Sequence, residues 1–142
     1  MILSNVLRQK SNDIFKIKST ASIADAAVAL TDKKIGALLV EDDSGKIAGI
    51  ISERDIVGGM GPHGADLHDV PVSELMTTRL IKCAPSDTVL EAMAMMTDRR
   101  IRHLPVFDGD DLVGVISVGD LVKYRISEVQ AEAEAMRQYI AS

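Results

Sequence analysis

From residue 22 to residue 57 the hydrophobic and polar positions change rhythm three times. Ile23, Ala26, Ala27 and Leu30 recur at three- and four-residue steps, the spacing of one buried helical face. Ser22-x-x-Asp25 stands where that pattern begins and has the form of a capping box, so a helix is predicted over 22–34. Two apolar runs joined by Asp, Ser and Gly follow in "ALLVEDDSGKIAGIIS", which predicts a hairpin. A second Ser-x-x-Asp, in "IISERDIV", then opens another helix. The same rhythms return from residue 88: Thr88-x-x-Glu91, a helix to 100, the paired runs of "HLPVFDGDDLVGVIS", and Ser-x-x-Asp in "VISVGDLV".

Laid over one another with one residue of slack in the acidic turn, the two stretches are identical at about a third of their positions. Ala26/Ala92, Thr31/Thr97, Asp32/Asp98, Ile35/Ile101, Leu38/Leu104, Val40/Val106, Gly49/Gly114, Ile51/Ile116, Ser52/Ser117 and Asp55/Asp120 are identical pairs. Such self-similarity marks a duplicated structural unit. A short apolar strand precedes each copy, "IFKIK" (14–18) and "LIKCA" (80–84), which makes the order β-α-β-β-α, twice. The fold class is α+β. One unit of this size leaves much of its apolar surface wet, so the two are expected to pack with pseudo-twofold symmetry, sheet against sheet. The expected organisation is a first repeat at 5–60, a linker at 61–72, a second repeat at 73–126 and a C-terminal helix at 127–142. "GGMGPHG" reads as a loop from its Gly and Pro content, and "VSELM" as a short helical turn.

Composition narrows the function classes. Aromatic residues are 3% with no Trp, so Ile, Val, Leu, Ala and Met must build the core. A net charge of −5 argues against a broad grip on nucleic acid or an anionic membrane, while leaving room for a local basic pocket. Cys83 is the only cysteine, which excludes an internal disulfide and a cysteine metal cluster. The start lacks the pattern of a signal peptide and no run is long enough to span a membrane, so the expected location is the cytoplasm.

Two roles fit Ser52, Asp55, Ser117 and Asp120. Each Ser can cap its helix while the Asp reaches back to the cap amide. Alternatively, the free amides and partial positive charge of a helix start suit an anion, and a carboxylate one turn in can accept the two hydroxyls of a ribose. Arg102 and His103, in "RRIRHLPV", can donate to phosphate oxygens, or simply close the preceding helix as Lys33 and Lys34 do in the first repeat. The first repeat has Gly36 and Ala37 at those positions, so the two copies are chemically unequal.

The duplicated order of motifs, each ending G-(I/V)-I-S-x-x-D-(I/L)-V, with "RRIRHLPVFD" before the last hairpin, resembles a tandem pair of CBS domains, also called a Bateman module. The likeness covers about 5–126. It implies a stand-alone regulatory sensor with no catalytic role, binding an adenine nucleotide in clefts between the repeats, AMP foremost and ADP, ATP or NAD(H) as alternatives. It implies sugar and phosphate contacts from Ser52, Asp55, Ser117 and Asp120, and phosphate contacts from Arg102 and His103. The turns Lys18-Ser19-Thr20 and Ala84–Ser86 would line the base and ribose, flanked by Ile17, Ile35, Val40 and Ile101. It also implies a homodimer of pairs and a regulated protein partner that the sequence does not name.

Other chemistry finds less support. "GGMGPHG" lacks the Lys-Ser/Thr ending of a phosphate loop, the three histidines show no metal spacing, and no nucleophile elbow is present. Val122, Ile126, Val129, Ala133, Met136 and Ile140 alternate at steps of four and three, a seam that can zip to a second chain or lie across its own domain. A ligand-free interaction module acting through that helix is therefore the alternative function.

Overall fold

Side-chain caps fix where the helices begin. Ser22 accepts the Asp25 N–H (3.1 Å) while the Asp25 carboxylate accepts the Ser22 N–H (3.2 Å). Thr88 accepts the Glu91 N–H in the same way, without the reciprocal bond. The structure, a computed structural model, describes residues 1–10 and 13–141. Its elements run α1 (Leu3–Gln9), β1 (Lys16–Lys18), α2 (Ile23–Lys33), β2 (Ala37–Glu41), β3 (Ile47–Ser52), α3 (Glu53–His63), a 3-10 turn (Gly64–Asp69), α4 (Val72–Leu75), α5 (Val89–Arg99), β4 (His103–Asp108), β5 (Asp111–Ser117) and α6 (Val118–Ala141). They form two compact units, Ile14–Leu80 and Met1–Asp13 with Ile81–Ser142.

In the unit Ile14–Leu80, β1 pairs parallel to β2 and β2 antiparallel to β3. The apolar face of α2 (Ile23, Ala26, Leu30) buries against Leu38, Val40 and Ile51 of the sheet and Val70 and Val72 of the following segment. The Gly/Pro-rich stretch is not the loop its composition predicts. Residues up to His63 continue α3, Pro62 included, and the 3-10 turn carries Leu67 onto the core. Tertiary packing overrides propensity here. A Cβ on Gly59 would stand 2.6 Å from Leu75 and 3.0 Å from Leu67, so the lack of a side chain lets these elements close.

In the other unit α5, β4 and β5 repeat this plan around Val89, Ala92, Met96, Leu104, Val106 and Ile116. The strand expected at 80–84 shrinks to one parallel bridge, Cys83 with Val106. Two prolines explain the loss. In the first repeat Leu39 donates to the Phe15 carbonyl (3.1 Å) and Ser19 to the Glu41 carbonyl (2.9 Å). The matching donors are Pro105 and Pro85, which have no N–H. What survives is Cys83 N–H to Pro105 O (3.0 Å) and Phe107 N–H to Cys83 O (2.8 Å).

A second correspondence joins segments that lie outside the aligned repeat. Residues 70–77 pack back on the first repeat: Val72 donates to Ala21 O and Ser73 to Ser19 O. Residues 1–10 precede that repeat yet pack on the second, where Leu3 donates to Asp87 O and Ser4 to Pro85 O. Leu3 and Val6 are buried there. Thus "LSNVL" and "VSELM" cover equivalent faces of the two sheets.

Candidate functional site

The second Ser-x-x-Asp of each repeat forms the expected cap, and each Asp is also held by a donor from outside its repeat motif. In the first repeat Asp55 Oδ2 accepts the Ser52 N–H (3.0 Å) and hydroxyl (3.1 Å), while Ser52 Oγ accepts the Asp55 N–H (3.3 Å). Asp55 Oδ1 accepts the Thr77 hydroxyl at 3.2 Å. Capping therefore uses one oxygen of the carboxylate and leaves the other to a neutral donor that can rotate away.

In the second repeat Asp120 Oδ2 accepts the Ser117 N–H (2.9 Å), and Ser117 Oγ accepts the Asp120 N–H (3.1 Å). The second donor to that oxygen is the Lys10 ammonium, 2.8 Å from Asp120 Oδ2 and 2.6 Å from the Val115 carbonyl. Both side chains of this ion pair are about one-quarter exposed. Partial burial pushes the Asp120 carboxyl up, but the Lys10 ammonium and the Ser117 N–H outweigh it and hold the group below its ordinary range.

The remaining expected site residues divide by location. Ile35 and Ile101 are half-buried against their own cores, and each donates its N–H back into the helix before it. Arg102 is exposed, and its carbonyl accepts the N–H of Val118, the first residue of α6 (2.9 Å), as Gly36 O accepts that of Glu53 (3.1 Å). His103, half-buried, pairs with Ser117 across β4 and β5. The second repeat therefore gathers Arg102, His103, Ser117 and Asp120 at one end of its hairpin.

Lys18, Ser19 and Thr20 lie elsewhere within their unit. Lys18 pairs with Glu41, whereas Ser52 pairs with Ala37, four residues along β2. The turn and the Asp55 cap are about 13 Å apart along the strand. Ala84 holds the matching turn in the second repeat, beside Phe107: Asp87 donates to Ala84 O at 3.0 Å, as Ala21 donates to Lys18 O at 3.0 Å. A groove of about 570 Å³ between α2 and α3 takes in Ile35, Gly36, Glu53 and Ile56, but neither Ser52 nor Asp55.

Lys10 and Thr77 are the contacts that sequence reasoning missed. Lys10 is 110 positions from Asp120, and no motif connects them. The one available signal was the likeness of "LSNVL" to "VSELM". Elsewhere the chemistry is quiet. Burial, with the nearby Asp87 charge, pushes the Cys83 thiol up to about 11, so it stays protonated at neutral pH. Among the described residues, no group of three or more His, Cys, Asp or Glu side chains is placed to hold a metal ion. Among them, too, no helix is long and apolar enough to cross a membrane.

Known proteins repeat this architecture. The CBS domain model matches residues 6–61 and 72–127. The mitochondrial CBS domain-containing protein CBSX3 of Arabidopsis thaliana is 35% identical over 123 residues, which are 84% of this chain and 60% of that protein. The chain thus spans about three-fifths of that relative's length. The crystal structure of the CBS-domain containing protein ATU1752 from Agrobacterium tumefaciens superposes with a TM-score of 0.85 at 37% identity, covering 87% of this chain and 92% of that one. The CBS domain pair of protein MJ0100, solved in complex with 5′-methylthioadenosine and S-adenosyl-L-methionine, shares the fold with a TM-score of 0.77 at 23% identity, covering 90% and 98%. The chain belongs to the CBS domain family and carries two CBS domains in tandem.

Proposed function

We propose that the chain is a regulatory binding module for an adenosyl ligand, with AMP foremost and ADP, ATP or NAD(H) as alternatives. Ligand occupancy would be passed to a partner protein in the cytoplasm. The observation that supports this best is the Asp55 carboxylate. It sits half-buried one turn into a helix, one oxygen committed to the cap and the other accepting the Thr77 hydroxyl. A ribose can replace that hydroxyl like for like, since its hydroxyls donate to a carboxylate as threonine's does. Ser52, Ser117, Asp120, Arg102 and His103 are assigned to sugar and phosphate contacts, and the turns at Lys18–Thr20 and Ala84 to the base. The adenosyl ligands of the MJ0100 domain pair point to the same chemical class. We assign no catalytic step: the carboxylates are engaged in caps and the one thiol stays neutral.

The test is thermal denaturation and calorimetry with AMP, ADP, ATP, NAD+, NADH and S-adenosylmethionine. Ligand at a hundred times its dissociation constant stabilises the folded state by about 2.7 kcal/mol. Asp55→Ala should weaken binding by more than its effect on stability explains. Absence of a shift with every ligand would sink the proposal.

A second reading, a ligand-free dimerisation module, draws on α6. Val122, Ile126, Val129, Met136 and Ile140 stay exposed along one seam of that helix. If a second copy covers the seam, truncation after Tyr124 leaves a monomer in sedimentation experiments while nucleotides change nothing.

A further inference from the structure

Two stripes of α6 face different ways. Leu121 is buried in the core of its own unit, and Tyr124 packs against that core. Val122, Ile126, Val129, Ala133, Met136 and Ile140 form a second stripe about a third of a turn round the helix, and all of them are exposed. From Val129 to Ala141 every residue is exposed, so the end of α6 stands clear of its unit's core. A lone helical segment shorter than about 15 residues is marginal in water, and an apolar stripe at steps of four and three is a seam along which helices associate. The charges beside the seam decide which helix fits it. Lys123, Gln130 and Arg137 flank it on one side, and Arg125, Glu132 and Tyr139 on the other. In a parallel pair of copies the two sides face each other with a short forward offset. Glu132 then meets Arg137 of the second copy, twice by symmetry, and Arg125 meets Gln130. In an antiparallel pair each side faces itself, which sets Glu132 against Glu132 and Lys123 against Arg137. Within its own chain Arg137 lies 3.5 Å from Glu134, an exposed pair that contributes little in water and is readily exchanged.

We infer that α6 pairs with α6 of a second copy as a short parallel coiled coil, in register along Val122–Ile140 and fixed in direction by reciprocal Glu132–Arg137 ion pairs. The pairing rests on the α6 dimer of the second reading above, to which it adds a direction and the residues that choose it. It holds whether or not a nucleotide binds. The occupant is a second copy because the charges beside the seam complement themselves in the parallel direction and repel in the other. Because Asp120 caps the start of the same helix, the joined helices begin at the two copies' Asp120 carboxylates.

Sedimentation of the full chain and its charge variants tests this. Glu132 and Arg137 are exposed, so the fold tolerates a change at either. Arg137→Glu puts like charges at both Glu132 contacts of a parallel dimer and should raise its dissociation constant by about tenfold, a change of about 1.4 kcal/mol. Glu132→Arg should do the same. Combined in one chain, or mixed as two singly changed chains, the substitutions restore both opposite-charge pairs and should restore the dimer. A dimer tightened by Arg137→Glu overturns the inference, because that change relieves the Lys123 contact of an antiparallel pair. A dimer indifferent to every charge change, yet lost on truncation after Tyr124, also overturns it and leaves the α6 dimer standing. A chain monomeric at every concentration, or a dimer that survives the truncation, overturns both. Oxidation gives an independent measure. Ala133→Cys should link to itself in a parallel seam, whereas in an antiparallel one position 133 faces Val129 and no self-link forms. Cys83 is buried and stays protonated, so it does not compete. A dimer in which Ala133→Cys fails to link overturns the parallel pairing.

Discussion

The unit Ile14–Leu80 and the unit built around the second repeat carry the same hairpin, the same Ser-x-x-Asp cap and the same covering segment, yet they reach that likeness with different chemistry. One holds its Asp with a hydroxyl, the other with an ammonium. One keeps a three-stranded sheet, the other loses a strand to two prolines. The Ser-x-x-Asp caps and the hairpin glycines are the same in both repeats, while two strand donors and the group that holds each Asp differ.

The largest difference should appear at the hairpin glycines. A Cβ on Gly49 would stand 2.5 Å from the carbonyl oxygen of Thr77, a residue whose N–H and C=O both bond Ile50. A Cβ on Gly114 meets only the tip of Leu7, at 2.6 Å. Gly49→Ala should therefore cost about 2–3 kcal/mol and Gly114→Ala about 1 kcal/mol or less, because a side-chain tip can turn aside where a paired strand cannot. Urea denaturation of both variants measures this, and equal costs would show that the two covering segments yield alike.

The donors to the aspartates come next. Lys10→Met should destabilise by about 1–2 kcal/mol and Thr77→Val by about 0.5–1 kcal/mol, the ordinary contrast of charge-assisted and neutral hydrogen bonds. A double-mutant cycle of Lys10→Met with Asp120→Asn should recover most of the first value as coupling. Additive effects would mean that the ion pair contributes nothing to the fold.

Acid unfolding sharpens the same contrast. The Asp120 carboxyl titrates below its ordinary range in the folded protein, because the Lys10 and Ser117 donors outweigh burial. An unfolded aspartate binds its proton near about pH 4. Just below that pH the unfolded chain holds more protons than the folded one, so stability rises with pH across the window. The contribution is present above it and is lost as pH falls through the folded value. Asp120→Asn should flatten this limb of the stability profile, and Lys10→Met should flatten it in the same direction.

The smallest effect concerns a feature that the repeats share. Lys34 and Arg100 end α2 and α5 in the left-handed conformation, each at φ 54°. Glycine adopts that conformation without the steric penalty of a Cβ, so Lys34→Gly should raise stability by up to about 1 kcal/mol. A melting temperature that falls instead would mean that the Lys34 side chain contributes more than its backbone costs.

Features written over a few neighbouring residues are legible in the chain itself. The helix starts at Ser22, Thr88, Ser52 and Ser117 follow from Ser/Thr-x-x-acid spacing, and the hairpins from apolar runs around Asp and Gly. The shortened strand at Cys83 was legible in principle, because Pro85 and Pro105 stand where the first repeat donates two hydrogen bonds. The helix through "GGMGPH" was not, since its composition favours a loop and the close approach of Leu67 and Leu75 to Gly59 is a tertiary contact.

The sequence by itself determined the duplication, the element order and the capping chemistry, because these arise from hydrogen bonds and apolar contacts a turn or a hairpin apart. Tertiary structure alone decided that residues 1–10 cover the second repeat and 70–77 the first, and that Lys10 meets Asp120. The reason is physical: a contact across 110 positions leaves no periodicity in the chain, and its partners are brought together only after Leu3, Val6 and Leu7 have found their places.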